Sequence, residues 1–564
     1  MSSPALPVAA YGRRSKAIAA WRPLVSCEAL ILAACLYFSL FCNAAFWKAA
    51  VPQPVQWTWA ASLFVAATAV HALLLSLLVW PRTARAVLAV LVLVSALSGH
   101  YISAYGIYID ADMMRNVLHT DWREASELAG PGMLWAVLAA LPALVVLWRI
   151  RVRPRRLARA LLVRVLFFVA MTLVAVASAL PSLQPLASFL RTQREVRYLA
   201  TPANVLVSLT KVASAELPRR SRARLPIGED AVQSATAAVR KPRLLLLVVG
   251  ETARAANWGL NGYARQTTPA LAARSDVLNF PQVTACGTST EVSLPCMFSP
   301  WGRADYDEKR IRSHQSLLHV LQRAGVATLW RDNQSGCKGV CEGLPVEDLN
   351  ARTDPGLCEG KRCYDAILLD GLPEIAARQN GDQVVVLHML GNHGPTYFER
   401  YPPDFGRFTP VCETADLGRC SREQIVNAYD NALLYTDHLL AEAIDRLAAL
   451  TNRDTALLYV SDHGESLGEK GLYLHGMPYA IAPDEQLRVP MVAWFSPGWR
   501  RSAGLDEACL RRRSTDELSH DHLFHTVLGL TDVRTTLYRA ERDIFLPCAA
   551  AGAAAGSKVA ARIL

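Results

Sequence analysis

Ala456-Leu457-Leu458-Tyr459-Val460-Ser461-Asp462-His463-Gly464-Glu465-Ser466 is the stretch on which the reading of this chain turns. An apolar run with the length and the β-branched and aromatic content of a buried strand stops abruptly at a carboxylate, an imidazole and a glycine. Side chains at the carboxyl end of such a strand face the crevice where open α/β sheets bind ligands. An adjacent carboxylate and imidazole there are a ready pair of metal ligands, and Zn²⁺ accepts both. A solvated surface turn is the competing reading of the same residues.

The surroundings repeat the pattern. From Lys241 to Pro547 about 300 residues alternate between strand-like and helix-like segments, a length that suits one α/β domain. The expected strands are Leu244–Val249, Ala327–Arg331, Gln383–Leu390, Ala456–Val460 and Val489–Phe495. Three of them end in polar clusters: Gly250-Glu251-Thr252, Gly391-Asn392-His393-Gly394 and Asp462-His463. If these strands are parallel neighbours, Glu251, His393, Asp462 and His463 share one edge. His475, in a glycine-flanked loop, could fold back towards them. Taken singly, each is explained by a helix-start charge or an ordinary hydrogen-bonded histidine; three strand ends together are harder to reach by chance.

A second element is Cys286-Gly287-Thr288-Ser289-Thr290-Glu291-Val292-Ser293-Leu294-Pro295-Cys296. Hydroxyl residues after a glycine and before a short helical stretch suit a nucleophile at a helix N-terminus, where exposed N–H groups favour an anionic phosphate. A hydroxyl needs a base or a metal to act. Residue type leaves Thr288, Ser289 and Thr290 all open, and simple N-capping is the alternative.

The first third of the chain is different. The whole sequence is 52% hydrophobic and its mean hydropathy is positive, but the excess lies before residue 185. Five apolar runs, Ala29–Phe46, Trp59–Trp80, Ala86–Tyr105, Met133–Ile150 and Leu161–Leu180, each approach the ~20 residues that cross a bilayer as a helix. Four more runs follow the first, so it is not a cleavable signal. Arg13, Arg14, Lys16, Arg22, Arg82, Arg85 and the arginines from Arg149 to Arg159 flank alternate ends of the runs; the other loops hold only Lys48, Arg115 and Arg123. The positive-inside rule then puts the N-terminus in the cytoplasm and everything after residue 185 outside it. The net charge of +10 owes much to these arginines, and without a basic stripe interleaved with aromatics it does not indicate nucleic-acid binding.

Cysteines test this topology. Cys27, Cys35 and Cys42 sit in the first run; the other ten fall after residue 280. Cys286/Cys296, Cys337/Cys341, Cys358/Cys363 and Cys412/Cys420 are close in sequence, with Cys509 and Cys548 a distant possible pair. Even numbers in local pairs indicate disulfides in an oxidising compartment, and the spacings lack the repeated Cys-x-x-Cys of a zinc cluster. The expected organisation is a membrane domain over 1–185, a connector over 186–240, an extracytoplasmic domain over 241–548 and a disordered Ala/Gly-rich tail over 549–564. Within the connector, Phe189–Leu217 reads equally as helices on the membrane surface or as a helical linker, and Arg219–Arg224 as a solvated basic run.

Longer motifs carry a resemblance. Gly250-Glu251-Thr252-Ala253-Arg254-Ala255-Ala256-Asn257-Trp258, Cys286-Gly287-Thr288-Ser289-Thr290, Cys296-Met297-Phe298-Ser299, Asp332-Asn333-Gln334-Ser335-Gly336-Cys337-Lys338-Gly339, Gly391-Asn392-His393-Gly394-Pro395 and Ser461-Asp462-His463-Gly464-Glu465-Ser466-Leu467-Gly468-Glu469 together make the chain resemble the phosphoethanolamine–lipid A transferases over nearly its whole length. The resemblance implies five membrane helices and an α/β domain of the alkaline-phosphatase/sulfatase fold, a mixed sheet sandwiched by helices. It implies zinc held by Glu251, Thr290, Asp462 and His463, with Thr290 the nucleophile. It assigns the substrate phosphate to Ser335, Lys338, His393 and His475, the two histidines also able to hold a second zinc, so His393 passes from primary ligand to that role. Asn116, Thr120 and Glu124 match residues that bind the lipid substrate, and their i, i+4, i+8 spacing suggests one helical face. The donor implied is phosphatidylethanolamine, the acceptor lipid A, the place the bacterial inner membrane with the catalytic domain periplasmic, and the working form a monomer. A related transferase of phosphoethanolamine or phosphoglycerol acting on another glycan is the alternative. A formylglycine sulfatase is excluded, because its Cys-x-Pro-x-Arg is missing. A membrane-anchored sensor with a dead site sits badly with a full set of metal-type residues.

Overall fold

Apolar side chains are placed in two opposite ways along this chain, and the placement separates two compact units. In the computed structural model, residues 23–51, 56–216, 223–350, 352–359 and 362–549 are described. Arg13, Arg14, Lys16 and Arg22, the basic run at Arg219, Arg220 and Arg222, and the tail from residue 550 lie outside the described residues. One unit comprises the chain up to Ser103 together with Gly132–Asn204; the other comprises Ala104–Pro131 and everything from Val205.

The first unit is helical. Trp57–Leu78, Ala84–Tyr105, Pro131–Arg149 and Leu157–Thr192 are, among the described residues, four helices long and apolar enough to cross a membrane. The first apolar run forms a bent pair instead of one straight rod: Cys27–Cys42, ending in a π-helical turn from Phe38, meets Ala44–Ala50 at 73°, and counted as one span it makes a fifth. Asn43 explains the break. It leaves helical geometry, and its side-chain amide donates to the Phe38 carbonyl at 2.9 Å and the Thr201 carbonyl at 2.7 Å, while its oxygen accepts from Thr201 N at 2.7 Å. An inserted side chain of this kind is a recognised cause of a kink. Large apolar side chains such as Trp135, 67% exposed, and Leu166, 59% exposed, point away from the unit, as a hydrocarbon solvent allows.

The second unit is built on an eight-stranded sheet. In chain order its strands are β1 Arg243–Gly250, β2 Val277–Thr284, β3 Ala327–Asp332, β4 Val346–Asp348, β5 Gln383–His388, β6 Asp454–Ser461, β7 Arg488–Phe495 and β8 Leu518–Ser519. Their spatial order is β8-β2-β7-β6-β1-β5-β3-β4. The five from β6 to β4 are mutually parallel, while β7 runs antiparallel to both β6 and β2, so the sheet is mixed. The sequence missed β2 as a strand. Pro281 interrupts its alternation, and the β2–β7 register shifts between Val489 and Met491, beside Pro490.

Both faces of the sheet are covered, which is why the central strands read as unbroken apolar runs. Leu245, Leu247 and Val249 of β1 belong to the core that includes residues of helices Leu317–Arg323 and Leu523–Leu530. On the other face Val248 and Leu387 line a small cavity together with Leu439, Leu440 and Ala443 of the long helix Arg422–Ala448. That helix starts at Ser421, whose hydroxyl accepts from Gln424 N while the Gln424 side chain accepts from Ser421 N, a reciprocal cap. Five disulfides join Cys286–Cys296, Cys337–Cys341, Cys358–Cys363, Cys412–Cys420 and Cys509–Cys548. Cys27, Cys35 and Cys42 are free thiols.

Candidate active site and metal centre

Register alone brings the two acidic strand ends together. Ser461 pairs with Gly250 across the parallel β6–β1 ladder, and Asp462 N continues it by donating to the Gly250 carbonyl at 2.9 Å. Glu251 and Asp462, the next residues, therefore leave the sheet side by side, with His463 following. Among the described residues Glu251, Asp462 and His463 form a group whose ligand atoms all lie within 4.8 Å of one another, and all three are fully buried. Gly391, at φ 52°, lets the loop after β5 close over this edge; a Cβ there would stand 2.6 Å from the Glu251 carbonyl oxygen.

The hydroxyl segment arrives from the other side. Thr290 is the first residue of helix Thr290–Met297, and its Oγ1 donates to Glu251 Oε2 at 2.9 Å and lies 3.3 Å from His463 Nε2. The neighbouring hydroxyls are otherwise placed. Thr288 Oγ1 donates to the Met477 carbonyl at 2.6 Å, and the Ser289 side chain makes no capping bond. The N-capping alternative therefore does not describe this segment. Ser293 Oγ donates to the Asp462 carbonyl at 2.5 Å and accepts from Gly287 N, tying the helix to the strand end. The Cys286–Cys296 bridge closes the same loop.

The cluster is electrostatically short of positive charge. Burial alone would raise the Glu251 carboxyl, but the hydrogen-bonded His463 beside it outweighs burial and holds it at about 2. Burial and the Glu251 charge push Asp462 up to about 6. Burial opposes charge on His463, yet the two carboxylates push it up to about 10. Asp462 Oδ2 is buried and receives no hydrogen bond; His463 Nε2 is 3.4 Å away. His463 Nδ1 donates to the Gly464 carbonyl at 2.9 Å, which turns Nε2 inward towards the carboxylates, where a metal ion would take the place of its proton. Two carboxylates balance one divalent cation and leave the imidazole free to bind as a neutral ligand. This donor set fits zinc.

Around the cluster stand the residues expected to meet the phosphate. His475 does fold back: its ring centroid is 4.4 Å from that of His463 and 5.6 Å from that of His393. Glu465, fully buried, holds His475 Nδ1 at 2.7 Å and accepts from Tyr397 Oη at 2.6 Å. Lys338, held at a left-handed φ of 48°, donates to Ser335 Oγ at 2.7 Å. His393 Nε2 is 3.1 Å from Glu124 Oε1 and its Nδ1 is buried without a partner. Burial works against the His393 charge, but Glu124 overrides it and raises the group. In return His393 and Lys338 overcome burial and hold Glu124 at about 2.

Asn116, Thr120 and Glu124 do not share one helical face. Helix Ala111–His119 ends before Thr120, which is extended, and Asp121 starts a new helix, Trp122–Glu127, by accepting from Glu124 N. The Asp-x-x-Glu spacing at Asp121 is a capping signal that outranks the i, i+4 pattern. Glu124 reaches His393, whereas Asn116 is tied in through its backbone carbonyl, which accepts from Thr120 Oγ1 at 2.7 Å.

Sequence reasoning also passed over four residues. Gln334 Nε2 donates to Glu251 Oε2 at 3.2 Å. His388 Nδ1 lies 2.7 Å from Asp332 Oδ1 beneath the site. His520 accepts from Cys286 N and donates through Nε2 to the Ser461 carbonyl at 2.9 Å; burial lowers it to about 4, so it is neutral. Glu291, beside Thr290, pairs with Arg312 at 2.8 Å and His119 at 3.1 Å. Gln334 and Glu291 stood inside quoted stretches and His388 inside an expected strand, whereas His520 carried no signal.

A buried acid–imidazole cluster at the carboxyl edge of a mixed sheet, facing a helix-borne hydroxyl, defines an enzyme of the sulfatase fold class. A Sulfatase family model matches residues 243–533, and a model described as phosphoethanolamine transferase EptA/EptB matches residues 67–217. Phosphoethanolamine transferase EptA of Escherichia coli is 39% identical, over 93% of this chain and 98% of that protein. Phosphatidylethanolamine transferase Mcr-2, also of Escherichia coli, is 38% identical over 90% of this chain and 95% of that one. The solved structure of the integral membrane lipooligosaccharide phosphoethanolamine transferase A from Neisseria meningitidis matches with a TM-score of 0.88 at 38% identity, covering 93% of this chain and 100% of that one. The chain belongs to the EptA/EptB family of phosphoethanolamine transferases, and it is a transferase.

Proposed function

We propose that this enzyme moves phosphoethanolamine from phosphatidylethanolamine to a lipid A phosphate through a covalent ester on Thr290, with the transfer domain on the periplasmic side of the bacterial inner membrane. The observation that carries the reading is the 2.9 Å bond from the Thr290 hydroxyl to Glu251 inside the buried Glu251–Asp462–His463 cluster. Glu251, Asp462 and His463 would hold zinc, with the Thr290 oxygen facing it. Zinc bound there would lower the hydroxyl pKa and offset charge on the phosphoryl oxygens.

The chain's own groups account for the rest. Thr290 Oγ bonds to phosphorus, the bond to diacylglycerol breaks, and the proton lost by Thr290 is matched by the one diacylglycerol gains. Lys338 and His393 offer positive charge and N–H groups to the phosphoryl oxygens as charge moves onto them, with His475 beside them. In the second step an oxygen of the acceptor phosphate bonds to phosphorus, the Thr290 ester opens, and Thr290 regains a proton. His393 and His475 are also the pair that a second zinc would use. Both substrates are lipids, and extracting one would cost ~0.8 kcal/mol per CH₂; apolar helices in the same chain hold the enzyme where the lipids are. The added amine offsets lipid A phosphate charge and weakens binding of cationic polymyxins.

Mass spectrometry of lipid A from cells with and without this protein tests the reading. A gain of one phosphoethanolamine that disappears in Thr290→Ala is the expected result. Unchanged lipid A with phosphoethanolamine or phosphoglycerol on another glycan would move the acceptor there.

A further inference from the structure

A cavity of about 740 Å³ has no part in the chemistry above, yet it shares two walls with it. One wall is the segment that starts at His393: Thr396, Phe398 and Tyr401 line the cavity, and Arg400 Nε donates to the His393 carbonyl at 2.7 Å. The other is helix Trp122–Glu127. Its Glu124 meets His393, while its Arg123, Ser126 and Glu127 line the cavity.

Arg123 and Arg362 line the cavity against Glu127, Glu399 and Glu413, and Arg400 packs behind the lining, so the charges balance over the whole site but not over its buried part. Arg362 Nε lies 2.5 Å from Glu127 Oε1, and Arg400, whose side chain is 0% exposed, pairs with Glu127 Oε2. Thr396 Oγ1 donates to the same Oε2 at 3.0 Å. Glu127 thus answers one of two guanidinium groups. Arg362 Nη2 and Arg400 Nη1 are buried with no hydrogen-bond partner. Arg123 adds a third cation, its Nη1 donating only to the Asn350 carbonyl. The other carboxylates of the cavity, Glu399 and Glu413, are solvent-exposed, where water and salt screen them. Around Glu127 two guanidinium groups share one carboxylate and keep buried donors open, which locally calls for an anion, and the guanidinium fork matches phosphate oxygens in pairs.

Size and lining narrow the ligand. A lone phosphate would leave most of 740 Å³ empty. Aromatic rings at Tyr364, Phe398 and Tyr401 next to hydroxyls at Ser126, Thr396 and Thr409 offer apolar faces and hydrogen bonds together, the mixture a sugar presents.

We propose that this cavity binds the phosphorylated sugar headgroup of the acceptor glycolipid, beside the donor site and separate from it. The proposal rests on the donor–acceptor reading above. The test uses the full-length enzyme in mixed micelles with phosphatidylethanolamine as donor and purified lipid A as the glycolipid probe. Arg123→Gln removes a wall charge; Thr409→Trp fills the mouth and leaves the charge alone. Diacylglycerol release without acceptor reads donor cleavage, modified lipid A reads transfer, and lipid A binding is measured on the same proteins. Both variants should raise the apparent KM for lipid A by about tenfold or more, a loss of ~1.4 kcal/mol, with donor cleavage within about threefold of wild type. Variants that bind and use lipid A as wild type does, or that lose donor cleavage and transfer in equal proportion, overturn it. If the wild type releases no diacylglycerol, the donor reading falls. Lipid A binding then decides the cavity, weakened binding in both variants upholding it and unchanged binding overturning it.

Discussion

Helix Leu157–Ala179 and strand Asp454–Ser461 are both apolar runs, and they do opposite things with that apolarity. Leu162, Leu166 and Leu173 on the helix are each about 60% exposed, whereas every residue of the strand is buried. The helix satisfies its backbone internally and can leave side chains to a hydrocarbon solvent. The strand must share its backbone bonds with neighbours and is covered on both faces by protein. Only the second arrangement ends in a water-poor polar edge, where a carboxylate, an imidazole and a hydroxyl can be forced together. The outward region presents an apolar surface suited to a bilayer; the inward region gathers the acid, imidazole and hydroxyl groups.

The comparison can be broken most severely at that edge. Thr290→Ala should lower transfer by more than about 10³-fold, measured as modified lipid A formed per minute, with near-ultraviolet circular dichroism unchanged. Stability separates the regions next. Trp330→Ala, at a side chain 1% exposed in the sheet core, should cost about 3–5 kcal/mol in unfolding of the second unit. Trp135→Ala, in the helix Pro131–Arg149, should cost less than ~1 kcal/mol by the same measurement in detergent. Equal losses would mean that the two apolar surfaces see the same solvent. Leu166→Arg, near the middle of its helix, should cost ~2.5–3.5 kcal/mol in membrane insertion, read as the fraction of chains integrated.

The smallest effect is on pH dependence. Glu124 raises the His393 pKa above its ordinary 6.5, so the charged imidazole persists to higher pH in the folded enzyme. Its stabilisation is complete below 6.5 and is lost as pH rises through the raised value. Glu124→Gln should therefore move the alkaline limb of normalised kcat/KM to lower pH and reduce stability most on the acid side of 6.5. An unmoved limb would remove His393 charge from the account.

Much of the inward region was legible because buried parallel strands announce themselves. β1, β5 and β6 are largely apolar runs, and the polar residues at their ends point to Glu251 and Asp462-His463. β2 was hidden by Pro281, and the antiparallel direction of β7 leaves no mark in composition. The choice among Thr288, Ser289 and Thr290 depends on which hydroxyl faces Glu251, a matter of one turn of backbone that residue type does not encode. The break at Thr120 was readable from Asp121 as a cap but lost to the stronger-looking spacing of Asn116, Thr120 and Glu124. His520 sits 59 residues beyond its partner Ser461, and no local pattern joins them. The bend at Asn43 is invisible for the same reason, since its partner Thr201 lies 158 residues away.

The most direct test of the central claim is the mass of the intact enzyme after incubation with phosphatidylethanolamine and no acceptor. Wild-type protein should gain one phosphoethanolamine, fragmentation should put it on Thr290, and addition of lipid A should discharge it. A group found on any other residue, or full transfer by an enzyme that never carries the group, would contradict the account.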